Sequence, residues 1–198
     1  MITIKYSIAN VKELQRGNLP PNAVKIDMPN NIDEMIKKAS PIAVILCVIM
    51  FVAMLLKTIL NHTAVVQPLA IFIGFMIGFV LLPIHEWLHA IVYPKDAVVT
   101  IGKVKGKMVF VALASYPMKI KRFILMCLLP FILGIVPLLV FLFSPAENRT
   151  LNGLMFGMAC MGMVSPFPDV YNVLAVLKYS RKNDKIMFYE DDLFQICS

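Results

Sequence analysis

The stretch Pro68-LAIFIGFMIGFVLLPI-His85-Glu86-Trp87-Leu88-His89 decides how this chain reads. Between Pro68 and Tyr93 the only charged or imidazole side chains are His85, Glu86 and His89. An apolar run of this length matches the roughly 20 residues that a helix needs to cross a bilayer. Ionisable groups inside such a run are costly, and by default they mark a functional site. Residues four apart on a helix share a face. His85 and His89 are therefore spaced to hold one zinc ion, with Glu86 beside them as a general base toward water. A pair of interfacial histidines with a neutralised glutamate would leave the H-E-x-x-H spacing without a reason.

Composition agrees with a membrane chain. Of 198 residues, 59% are hydrophobic and 16% charged, against about 25% charged in an ordinary soluble domain. The net charge of +7 would point a soluble protein toward nucleic acid. Here the basic residues flank apolar runs, so a membrane surface explains them and no nucleic-acid partner is expected. Cys47, Cys127, Cys160 and Cys197 form no C-x-x-C pair and read as small hydrophobes without a disulfide.

Outward from the motif, four apolar stretches read as transmembrane helices: 41–60, 68–93, 123–143 and 151–177. The first 40 residues are polar, so the first stretch reads as a span and not as a cleaved leader. Within them, Thr3–Ile8 reads as a short strand, Leu19–Asn22 as a turn, and Asn31–Lys38 as a surface helix capped by Asn31. Pro41 fits a first helical turn. Pro83 should kink the second span just before the motif. Gly74/Gly78 and Gly153/Gly157 each form G-x-x-x-G, a face that admits a second helix closely and offers a route to a homo-oligomer. Between the second and third spans, Val98–Ile101 and Lys103–Leu113 predict a β-hairpin, with Lys103, Lys105 and Lys107 alternating with Val104 and Met108. The expected organisation is a segment over 1–40, a membrane domain over 41–178 and a tail over 179–198.

An even number of spans puts both ends and the 94–122 segment on one side. Those three regions carry 17 of the 19 Lys and Arg residues. By the positive-inside rule that side is cytoplasmic, which makes the chain a multi-pass cell-membrane protein with both termini in the cytoplasm. His85 lies 17 residues past Pro68, about 25 Å along its helix. Asp169 lies 18 residues past Leu151, about 27 Å along a span of the same direction. Both therefore fall near the cytoplasmic edge.

A catalytic zinc site takes three protein ligands and keeps one position open. His62 sits in the loop at the far end of the helix. Asp169 carries the only charge in its span and is the expected third ligand, with Asp96 in reserve. Asn172, one turn beyond Asp169, is placed to orient a ligand or to hydrogen-bond a substrate carbonyl; helix–helix bonding is its alternative. Trp87 and Tyr171 read as interfacial anchors.

His85–His89 on one span, with Pro168-Asp169-Val170-Tyr171-Asn172 on a later one, resembles the site-2 protease type of intramembrane zinc peptidase. More closely, the region from Pro68 to Lys178, with His-Glu-Trp-Leu-His-Ala, the basic hairpin and Leu-Pro-Phe-Ile-Leu-Gly (Leu129–Gly134), resembles the small bacterial family of "putative zincin peptidases" of unknown function. The resemblance implies Zn2+ bound by His85, His89 and Asp169, and Glu86 activating water. It departs from the site-2 pattern around the aspartate, where Pro166 and Pro168 precede Asp169 and Val170 replaces the usual glycine. The expected function is zinc-dependent hydrolysis of a membrane-protein or peptide substrate at the cytoplasmic edge of the lipid bilayer. The alternative is a non-catalytic membrane protein with a structural or regulatory metal site. Metal transport would need polar groups through the full depth of the membrane, and the first and third spans offer none.

Overall fold

The structure is a computed structural model that describes residues 1–29, 31–106 and 109–197. In chain order its elements are β1 (Ile2–Ile8), α1 (Val11–Leu14), β2 (Ala23–Lys25), α2 (Ile32–Asn61), α3 (Pro68–Val80), α4 (Leu82–Val92), β3 (Val99–Val104), β4 (Phe110–Leu113), β5 (Met118–Lys119), α5 (Ile120–Leu128), a 3-10 turn (Leu129–Phe131), α6 (Ile132–Phe143), α7 (Arg149–Val164), α8 (Phe167–Tyr179), β6 (Lys185–Tyr189) and β7 (Asp192–Ile196). The chain is mostly helical. By length and composition Ile32–Asn61, Ile120–Phe143 and Arg149–Tyr179 are apolar enough to cross a membrane, and the broken pair α3–α4 joins them if it counts as one span.

Three of these stretches are interrupted, each beside a proline. The α3–α4 break falls at Leu81, two residues before Pro83, as a missing N–H at Pro83 dictates. Pro130 lies in the 3-10 turn between α5 and α6, and Ser165–Pro166 separates α7 from α8. Two expectations about the first span change. The surface helix and the span are one helix, α2, and Pro41 lies inside it instead of in its first turn. Asn31 does cap it, accepting from the Glu34 N–H at 2.9 Å.

Contacts group the chain into two compact units. The first comprises Met1–Lys38, Pro83–Leu129 and Pro168–Ser198; the second comprises Ala39–Leu82 and Pro130–Phe167.

In the second unit, glycines set the helix spacing. A side chain on Gly157 of α7 would run into the Ile71 carbonyl of α3, and one on Gly74 into the Leu154 carbonyl. The two G-x-x-x-G faces therefore pack against one another within the chain. α2 buries only Ala39, Met50 and Lys57 in the span region and before it. The Lys57 ammonium donates to the carbonyls of Phe141 and Ser144 and to Asn152 Oδ1, and it lies 4.7 Å from the Phe141 ring centre. It supplies donors that the last turn of α6 lacks.

The first unit contains two sheets where a hairpin and a separate short strand over Thr3–Ile8 were expected. β3 and β4 do pair antiparallel, from Thr100↔Leu113 to Lys103↔Phe110. However, β3 runs straight through Gly102, and β1 adds to it in parallel. Gly102 makes that possible, because a side chain there would meet the Lys5 carbonyl and the Ile8 side chain. The chain turns instead at Gly106, which has φ +79°. The alternation at Lys107 and Met108 lies outside the described residues. The second sheet has the order β2-β7-β6-β5. It is built from segments that read as linker and tail, and its β6–β7 turn holds Glu190 and Asp191 at φ 48° and 72°, the two-residue geometry that matches strand twist. These sheets share a core with α4, α5 and α8 that includes Tyr93, Ile101, Phe123, Cys127, Val176 and Ile186. Phe188 of β6 stacks at 5.7 Å on Phe123 of α5.

Gly157→Val should lower the thermal midpoint of the detergent-purified protein, because overpacking at a closed contact costs about 1–3 kcal/mol. An unchanged midpoint in a differential scanning measurement would refute the close approach of α3 and α7.

Candidate metal centre

Pro83 occupies the first turn of α4, where a missing N–H costs nothing. The helix then carries His85 and His89 inward, each only 7% exposed. Asp169 enters from α8. Pro166 ends the preceding helix, α8 restarts at Phe167, and Asp169 falls in the first turn, where the helix dipole favours a carboxylate.

The three side chains converge. His85 Nε2 and His89 Nε2 are 3.0 Å apart, and each lies 3.5 Å from Asp169 Oδ2. Their ligand atoms all fall within 4.8 Å of one another, the one such group of His, Cys, Asp or Glu among the described residues. Ligands that bond zinc at about 2.0–2.2 Å in a tetrahedron stand about 3.3–3.6 Å apart, so this spacing fits the ion. The chemistry fits as well. His89 Nδ1 lies 2.8 Å from the Met126 carbonyl, a contact that requires the proton on Nδ1 and leaves the Nε2 lone pair directed at His85 and Asp169. Two imidazole nitrogens and a carboxylate oxygen facing one another make a donor set that suits a cation.

The Met126 carbonyl is available for a simple reason. In a helix it would accept from the N–H four residues on, and that residue is Pro130, which has none. The chain breaks α5 there and hands the spare acceptor to His89. Arg122 Nε similarly donates to the Val92 carbonyl at 2.6 Å, closing the C-terminal end of the motif helix.

Glu86 stands at the edge of the group, Oε1 3.8 Å from His85 Nε2, with its side chain 13% exposed. The Ala112 N–H of β4 donates to its carboxylate. Asn172 follows one turn after Asp169, and its Oδ1 is buried without a hydrogen-bond partner among the described residues. Trp87 is exposed at 47%.

The other sequence candidates lie elsewhere. His62 is exposed at the end of α2. Asp96 is exposed and takes a hydrogen bond from the Tyr116 hydroxyl, which holds its carboxyl below the usual range; it does not join the group. The Met126 carbonyl and the Ala112 N–H are absent from the sequence reading because backbone groups carry no residue signature, although Pro130 was a legible clue to the first.

A search of curated proteins and a search of solved structures returned no match. The profile of one family, DUF3267, described as "Putative zincin peptidase", matches residues 78–183. That range takes in His85, Glu86, His89, both strands of the hairpin, Pro130, Asp169 and Asn172, and stops short of β6. Covering more than half of the chain, and describing a metallopeptidase whose donor set the geometry accommodates, the match identifies the chain as a member of the "Putative zincin peptidase" family.

Proposed function

We propose that the protein is a zinc-dependent intramembrane peptidase of the site-2 protease type that hydrolyses peptide bonds near the cytoplasmic face of the membrane. The observation that carries this reading is the convergence of His85, His89 and Asp169 with Glu86 beside them, all on segments apolar enough for spans. The orientation, with both termini cytoplasmic, has support of its own. The three basic regions on which it rests, the N-terminal segment, 94–122 and the C-terminal segment, all belong to the same compact unit.

Zinc held by His85, His89 and Asp169 would supply a Lewis acid that polarises the scissile carbonyl and brings the pKa of water to about 7. The chain's residues do the rest. The Met126 carbonyl fixes the His89 ring, and the first turn of α8 presents the Asp169 carboxylate to the two imidazoles. Glu86 takes the proton of the attacking water and delivers it to the leaving amine.

A helical substrate must unwind before its amides can be reached, and β4 offers an edge to receive it. β4 is an outer strand of its sheet. The Val104 N–H bonds the Val109 carbonyl, so with the observed register Val111 and Leu113 also bond toward β3, while Phe110 and Ala112 face outward. The outward Ala112 N–H is the one that meets Glu86, so a peptide paired along this edge would pass the general base.

Metal analysis of the detergent-purified protein should give about one zinc per chain, and Asp169→Ala should lose most of it. Wild type without zinc, prepared without chelators, would overturn the reading. Glu86→Gln should keep its zinc and lose turnover by about 10²–10⁴-fold; undiminished cleavage would favour the non-catalytic alternative. Phe110→Pro removes an outward N–H without touching the bonds to β3, so it should impair cleavage of a model single-span substrate while zinc content holds. Unchanged cleavage would exclude strand pairing at β4.

A further inference from the structure

β1 carries an apolar face that nothing in its own unit covers. Ile2 and Ile4 pair with Val99 and Ile101 of β3, and direct neighbours across a sheet point to the same side. Along β3 that side is core, with Val99 and Ile101 both buried. Along β1 the core has ended, and Ile4 is 78% exposed. Tyr6 follows where the register shifts by one residue between Lys5 and Ile8, and it stands almost free of the protein at 98% exposure. A contiguous apolar and aromatic surface of this kind marks a contact site.

Three features identify its occupant. The first is the edge itself. β1 is an outer strand, but the register shift and the Lys5 side chain spoil it for pairing with another strand, so a second copy added along it fits poorly. The second is charge. Gly102 pairs with Lys5, and the Lys105 N–H bonds the Ile8 carbonyl, so Lys103 and Lys105 flank the Tyr6 end of β1. No Asp or Glu occurs in β1 or anywhere from 99 to 113 to offset these lysines. The third is position. Ile4 pairs with Ile101, Ile101 pairs with Ala112, and the Ala112 N–H meets Glu86 of α4. Ile4 therefore lies two strand spacings, about 10 Å, from the strand that touches the motif helix. That helix turns Ile84, Trp87 and Ile91 outward along one face. An apolar strand with a tyrosine and a fringe of lysines, held beside a helix read as ending at the cytoplasmic boundary, has the chemistry of the lipid headgroup layer.

We propose that the Ile2/Ile4/Tyr6 face of β1 seats in the headgroup layer of the bilayer, with Lys5, Lys103 and Lys105 engaging the phosphates of anionic lipids. The proposal rests on the intramembrane part of the functional reading and is independent of catalysis.

Trp87 is the chain's one tryptophan, so wild type reports on α4 and Trp87→Phe/Tyr6→Trp reports on β1. Both full-length proteins are reconstituted in vesicles of phosphatidylcholine and phosphatidylglycerol that carry acyl chains brominated near the headgroup. Both emissions should be quenched, and the Tyr6→Trp emission less so in phosphatidylcholine alone. Adding Lys5→Gln and Lys105→Gln should lower the seated population about fivefold per lysine near an anionic surface and reduce the quenching in the phosphatidylglycerol vesicles. A Tyr6→Trp emission that escapes the brominated lipids and is open to aqueous iodide, while Trp87 is quenched, would overturn the proposal alone. Escape from the lipids together with shielding from iodide would overturn it in favour of a protein partner such as a second copy. Quenching indifferent to both phosphatidylglycerol and the lysines would overturn the anionic-lipid assignment. Trp87 of wild type left unquenched would overturn the intramembrane reading and this inference with it.

Discussion

Two imidazoles and a carboxylate can be buried in apolar helices only in one another's company. Each alone would carry an uncompensated desolvation cost of several kcal/mol; together, with a cation among them, they become a site. Much of the first unit serves that meeting. α4 brings the histidines at one helical turn, α8 restarts at Phe167 so that Asp169 emerges from a first turn, and the break at Pro130 frees the carbonyl that fixes His89. The sheets behind these helices hold them from one side: Phe188 on Phe123, and the Ala112 N–H on Glu86.

The sequence made the helical content and the centre legible because both depend on short-range patterns. Apolar runs of span length are contiguous. His85, Glu86 and His89 lie within one helical turn. Asp169 stands out as the sole charge in its stretch, at a depth matched to His85 by counting residues alone. What escaped is what depends on distant partners. Lys185–Tyr189 and Asp192–Ile196 look like a polar tail until β2 and β5 flank them. The β1–β3 pairing is equally hidden, because only the approach of the Lys5 carbonyl shows why Gly102 must lack a side chain. Pro41 looks like a helix start because nothing local reveals that α2 begins nine residues earlier.

The second unit shows a different use of polarity in an apolar setting. Lys57 is 6% exposed, yet among the described residues its hydrogen bonds go to neutral acceptors, two carbonyls and an amide oxygen. Asn152 does double duty there, accepting from Lys57 and Ser144 while donating to the Pro145 carbonyl. This network ties three helices and a loop through backbone acceptors that the end of α6 would otherwise leave bare. The glycine contacts of α3, α6 and α7 do the same work by dispersion.

The pairing of β2 with β7 sets an order on biosynthesis. Ala23–Lys25 leaves the ribosome early, but its partners are Phe194–Ile196. The motif histidines likewise precede Asp169 by 80 residues or more, a stretch that includes α5, α6 and α7. Because chains fold from the N-terminus as they emerge, a nascent molecule carries His85 and His89 through most of its remaining synthesis without their carboxylate partner or the sheet that backs them. A growing chain therefore holds no finished centre with which to attack its neighbours, and the hydrolytic chemistry proposed here would be switched on only by completion of the fold.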